Sequence, residues 1–220
     1  MAVSLLNPAP QWEHSLAADG SIAIEGLHEV VTLWHGCTSD DWANILNNQG
    51  HIQVIKGSAS TDFGRGFYTT TIQRQARHWA WLRYFSKCST PPPGPGGLFP
   101  CTLQFKVRRE DLTAGSMNFK MLSFISGNYD SEGYWSLVQH CRSGGSNQKC
   151  VPTTCSEEEQ WYDVVTGPAA AFWQQRVAMN DSDQISFHTQ RICDTVLNPL
   201  IDSYVRNGQS RTNYFDVIPV

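Results

Sequence analysis

Apolar residues in this chain come in short runs broken by Gly, Pro and polar clusters, the pattern of many short elements. The apolar run 30–34 predicts a buried strand. Ser39 followed by Asp40 and Asp41 reads as an N-cap with first-turn acids, opening a helix that passes Leu46 and stops at Asn47-Asn48-Gln49-Gly50. Aromatic and β-branched residues predict a strand over 67–71. A helix over 72–85 follows, with Ala76, Trp79, Ala80, Leu82 and Arg83 at helical spacing. Residues 101–107 alternate through Leu103, Phe105 and Val107, the period of a half-buried strand. Further strands are expected over 117–125, 161–167, 184–188 and 214–217. Helices are expected over 134–141 and 192–205, the latter with Pro199 as a kink or early end. Helices cluster early and late rather than alternating with strands, which predicts an α+β fold over a doubly wound sheet.

Residues 1–28 carry little periodicity and read as an N-terminal arm before a single domain over 29–220. That domain has two loop insertions. The first, 88–98, contains Pro91-Pro92-Pro93-Gly94-Pro95-Gly96-Gly97, which only a loop tolerates. The second, 142–159, is polar and bears Gly and Cys. With 220 residues the chain is long enough to bury roughly 70% of its unfolded surface, so no staple is required.

Composition narrows the partners. Charged residues make up 16% of the chain and the formal net charge is −4. Phosphate neutralisation dominates the affinity of duplex-binding proteins, so an acidic balance favours protein over nucleic acid as a partner. There is no apolar run of about 20 residues, so no membrane span is expected. Met1 to Gly20 lacks a basic region and an apolar core, which fits a cytoplasmic or nuclear chain; a mature secreted chain would read the same way. The seven Cys are an odd number, as reduced thiols would be. In an oxidising compartment Cys88–Cys101 would be a candidate bridge. His140, Cys141, Cys150 and Cys155 are zinc-type ligands at irregular spacing without Cys-x-x-Cys, and no metal is expected.

Three segments carry candidate chemistry. His35-Gly36 ends an apolar run, so an imidazole stands beside backbone that a flat amide can approach. Gly64-Arg65-Gly66 bends the chain into Tyr68. It lacks the third Gly of a dinucleotide fingerprint, but it leaves the Arg65 cation on an open bend where it could meet a pyrophosphate. Gln184 opens a late strand, where its amide could meet a ribose hydroxyl, while its neighbour Asp183 should point to the opposite face. Read singly, each is more often a core or edge residue. Together they suggest a nicotinamide dinucleotide pocket.

The runs TLWHG, DFGRGFYTT, YDVVTGP and QISFHT resemble an ADP-ribosyltransferase-like family of fungal and bacterial proteins, of the diphtheria-toxin and poly-ADP-ribose-polymerase type with its H-Y-[E/Q] arrangement. The resemblance covers about residues 30–205. It implies a split β-sheet core with peripheral helices and NAD as co-substrate. It implies that His35 meets the adenosine ribose, Gly36 holds the nicotinamide amide and Tyr68 stacks on its ring. Arg65 and Gly66 would belong to the cofactor site. Gln184 would hold the nicotinamide ribose, with Ser182 helping to position the acceptor. The implied activity is mono-ADP-ribosyl transfer to a macromolecular acceptor. An NAD glycohydrolase and a catalytically silent NAD- or ADP-ribose-binding module are the alternatives. Gln184 stands where many relatives carry Glu. A neutral hydrogen bond in place of a charge-assisted one is worth about tenfold in rate.

Overall fold

The computed structural model describes residues 30–88, 97–112, 119–124, 132–143 and 162–220. The expected arm over 1–28 and most of the two expected insertions lie outside them. In chain order the elements are β1 (Val30–Thr38), α1 (Ser39–Asn47), β2 (Phe67–Thr69), α2 (Gln73–Lys87), β3 (Pro100–Arg108), β4 (Met121–Ser123), α3 (Glu132–Arg142), β5 (Val164–Gly167), β6 (Ala170–Phe172), β7 (Val177–Ala178), β8 (Gln184–Phe187), α4 (Gln190–Ile192), α5 (Asn198–Arg206) and β9 (Phe215–Pro219). The mixture is α+β, as the pattern predicts.

One sheet has the order β1-β3-β9, antiparallel throughout. β1 runs on past the apolar residues to Thr38 because β3 pairs with it along its full length, from Val30 opposite Arg108 to Thr38 opposite Pro100. Leu33, Leu103, Phe105 and Phe215 are fully buried here with Leu197 and Ile201 from the C-terminal helical segment. Burying each such side chain contributes about 1.5–3 kcal/mol. Thr38, not Ser39, caps α1: Asp41 accepts hydrogen bonds from the Thr38 amide at 3.1 Å and its hydroxyl at 2.8 Å.

α2 turns its two alanines and Tyr84 to the core. Ala76, Ala80 and Tyr84 are buried, whereas Trp79, Leu82 and Arg83 are exposed. The small residues win because the helix backbone lies directly on β1. A Cβ at Gly36 would sit 2.1 Å from the Ala76 carbonyl oxygen.

The second sheet has the order β2-β8-β5-β4, with β4 and β5 parallel and the rest antiparallel. Phe63, Phe124, Tyr134, Trp135 and Val165 form its separate aromatic core against α3. The β6–β7 hairpin has no counterpart in the sequence reading, since strands this short show no period. Pro199 lies in the first turn of α5, where its missing N–H is tolerated, and a π-helical turn over Cys193–Leu197 precedes it.

Cys101 faces Cys37 across the ladder, the sulfurs 3.5 Å apart and both thiols free, so Cys101 is not paired with Cys88. Cys141 is buried in α3, and Cys150 and Cys155 lie outside the described residues. Among the described residues no group of three or more His, Cys, Asp or Glu is placed to hold a metal. No described helix is long and apolar enough to cross a membrane.

Candidate functional site

The two sheets meet at an isolated antiparallel bridge between Trp34 and Thr70. Trp34 N–H donates to Thr70 O at 2.8 Å and Thr70 N–H to Trp34 O at 2.9 Å. Backbone groups alternate sides along a strand. Gly36, two residues on, therefore turns its N–H and C=O to the same side as Trp34, and Tyr68, two residues back in β2, stands opposite it. No ladder continues there. Instead His35 Nδ1–H donates to the Tyr68 carbonyl at 2.6 Å, and its ring stacks on Phe67 at 4.2 Å. The carbonyl can only accept, so the proton is on Nδ1 and Nε2 is left as an acceptor. Burial lowers the His35 pKa, so the ring is neutral near pH 7. His35 and Tyr68 are both partly exposed rather than sealed in the core.

Tyr68 is held at its far end. Its hydroxyl accepts from Thr61 Oγ1 at 2.8 Å and Phe63 N–H at 3.0 Å, and donates to Gly64 O at 2.7 Å. Gly64 has φ +80°, the left-handed conformation that brings its carbonyl round to that hydroxyl. Burial raises the Tyr68 pKa, which keeps the phenol protonated. With the hydroxyl fully engaged, the ring face is what Tyr68 has left to offer.

Gln184 reaches the same loop from β8. Its Nε2 donates to Asp62 Oδ2 at 2.5 Å and to Pro168 O at 3.2 Å. Both partners are acceptors, so the amide orientation is set by chemistry and Oε1 faces the other way. Asp183 points to the opposite face as expected: its carboxylate takes the hydroxyls of Thr70 and Thr71 and, at 2.9 Å, the Thr71 amide.

The remaining expected residues do structural work. Arg65 braces the turn over Val54–Lys56, its guanidinium donating to the carbonyls of Ile55 and, at 3.1 Å, Gly57. The Arg65 carbonyl accepts from His188 Nδ1–H at 2.7 Å. Gly66 allows β2 to lie against that imidazole, since a Cβ there would be 2.9 Å from His188 Nδ1. Ser182 is buried, its hydroxyl accepting from Ala169 N–H at 3.0 Å and donating to Met179 O at 2.8 Å. His35 is thus bonded to Tyr68, and Gln184 to the loop that holds the Tyr68 hydroxyl, while Arg65, Gly66 and Ser182 are engaged in contacts of their own.

Asp62 is the residue that sequence reasoning missed. It is 3% exposed and touches Gln184. The available signal was an acid embedded in the Gly- and aromatic-rich run Asp62-Phe63-Gly64, but nothing in the run says what that acid meets 122 residues later.

No match is found among curated proteins or among solved structures. Residues 31–180, well over half of the chain, match a family described as a protein of unknown function, DUF3990. The matched span takes in His35, Gly36, Asp62 and Tyr68 and ends just before Gln184. The chain belongs to the DUF3990 family.

Proposed function

We propose that this protein binds NAD and transfers ADP-ribose to a macromolecular acceptor, as a mono-ADP-ribosyltransferase with a split-sheet site. The observation that carries the reading is the parting of β1 from β2 beyond Trp34 and Thr70. It leaves an N–H and C=O pair on Gly36 across from the backbone of Tyr68, whose ring stands out from the sheet face. A carboxamide matches such a pair with one bond in each direction, and an aromatic face takes the attached ring. His35 Nε2 accepts from a ribose hydroxyl of the adenosine half. Gln184 Oε1 accepts from a hydroxyl of the nicotinamide ribose. The bond from ribose C1′ to the nicotinamide nitrogen breaks, and its electron pair leaves with nicotinamide. The acceptor nucleophile then bonds C1′ and loses its proton. The protein's work is to hold the leaving amide and to set oxygen acceptors beside the sugar as it gains positive charge.

Incubation with NAD, followed by mass spectrometry of small molecules and added proteins, tests this. Nicotinamide release with an added ADP-ribose mass on a protein is the expected result. Release of nicotinamide with free ADP-ribose would assign the site to hydrolysis, and neither binding nor release would overturn the reading. Replacing Tyr68 by Ala removes a stacking contact of about 1–3 kcal/mol and is expected to slow release about tenfold to a hundredfold. Gln184→Ala removes one neutral hydrogen bond and is expected to cost up to about tenfold. Full activity in both variants would place the site elsewhere.

A further inference from the structure

We infer that Asp62 is a positioning residue for Gln184, and that the two side chains together do at the ribose what a single carboxylate would do alone. This rests on the NAD reading of the site and adds to it a residue that neither the sequence motifs nor the family match assigns a role.

A carboxylate as buried as Asp62 is costly unless donors surround it. Four do. Arg142 Nε and Nη2 converge on Oδ1 at 2.7 and 2.6 Å, and Ala170 N–H and Gln184 Nε2 reach Oδ2 at 2.8 and 2.5 Å. Arg142 and the Ala170 amide hold Asp62 in place. Gln184 is the donor that the NAD reading sets at the ribose. The bond has two consequences. It fixes the amide with Oε1 away from Asp62 and Pro168, free of any hydrogen bond among the described residues. It also polarises the amide, since a donor N–H bound to an anion shifts electron density toward its own carbonyl oxygen. Oε1 is thereby a stronger acceptor than an ordinary Gln oxygen, with the formal charge carried one group back. The same loop holds the Tyr68 hydroxyl through Thr61, Phe63 and Gly64, so ring and acceptor are set by one frame.

The test measures kcat and KM for nicotinamide release from NAD in the full chain. Asp62→Asn removes the charge at constant shape. It is expected to lower kcat about tenfold to a hundredfold while KM for NAD moves less than about threefold, the signature of lost alignment rather than lost binding. Adding Gln184→Glu to Asp62→Asn exchanges amide and carboxylate across the same contact and is expected to recover kcat to within about tenfold of the parent. Unchanged kcat in Asp62→Asn overturns the inference, as does a folded double variant that fails to recover, since an Asp62 that only anchors its loop would not be rescued from position 184. If Asp62→Asn alone does not fold, the double variant decides by the same criterion. A parent chain that releases no nicotinamide overturns the NAD reading and this inference with it, an outcome distinct from an active parent indifferent to Asp62.

Discussion

The two sheets are held together by different means. The β1-β3-β9 sheet buries Leu33, Leu103, Phe105 and Phe215 in a continuous apolar cluster, to which the second sheet adds Phe67, Val164, Ile185 and Phe187 from one face. The β2-β8-β5-β4 sheet carries buried Thr69, Thr166, Ser186 and, at its margins, Asp62, Asp163, Asp183 and His188. Several of these polar groups are satisfied by a partner far away in the chain, as Thr69 by Ile185, Asp62 by Gln184 and His188 by Arg65. Apolar packing is tolerant of chemistry and intolerant of volume. Polar pairing is the reverse: one lost partner leaves a desolvated group uncompensated, at about 1–3 kcal/mol. The proposed site draws the Gly36 backbone and the His35 ring from the first sheet and Tyr68 and Gln184 from the second.

The sharpest way to break the contrast is volume on the apolar side. A methyl at Gly36 meets helix backbone at 2.1 Å, which cannot swing away as a side chain would. Gly36→Ala is expected to destabilise the fold by about 3 kcal/mol or more, read as the shift in a urea or thermal unfolding midpoint. Near-parent stability would mean that α2 is free to lift from β1 and that the first sheet is not the rigid half.

Charge on the polar side comes next. Burial pushes the His188 pKa down to about 4 from its ordinary 6.5. The neutral ring donates from Nδ1 to Arg65 O, and its Nε2 lies 2.7 Å from the Ser186 hydroxyl. Between those pH values the unfolded chain binds more protons at this group than the folded one. Its contribution is therefore fully present above about pH 6.5 and is lost as the pH falls toward 4, by roughly 3 kcal/mol in total. Unfolding midpoints followed across that window are expected to fall with pH, and to fall less in His188→Gln. The same slope in both would remove His188 from the account.

The smallest effect is expected at the surface. Arg83 is half exposed and meets Asp41 at 3.3 Å, linking α2 to the start of α1. Arg83→Ala is expected to cost about 0.5 kcal/mol, less at high salt. A loss of several kcal/mol, or one indifferent to salt, would show that the link between α2 and α1 belongs with the buried pairs.

Legibility followed the same division. The alternation through Leu103, Phe105 and Val107 announced β3 because a strand with one buried face repeats every two residues. His35, Gly36 and Tyr68 stood out because a Gly or an aromatic in a short apolar run is conspicuous locally. Which residues α2 buries was not legible, because Trp79 and Leu82 are more apolar than Ala76 and Ala80, and hydrophobicity alone does not register that close approach of two backbones selects the smaller side chain. The β6–β7 hairpin was too short to carry a period.

The sequence by itself determined an α+β chain of short strands, its principal apolar strand, and three locally conspicuous segments around His35, Tyr68 and Gln184. Only the tertiary structure decided that β1 and β2 share an isolated bridge at Trp34 and Thr70, that Gly36 lies against the backbone of α2, and that Gln184 hydrogen-bonds Asp62. The physical reason is range. Periodicity and turn chemistry act within a few residues and are written in local order, whereas a buried hydrogen bond is set by which distant donors and acceptors the packed sheets bring within 3 Å of one another.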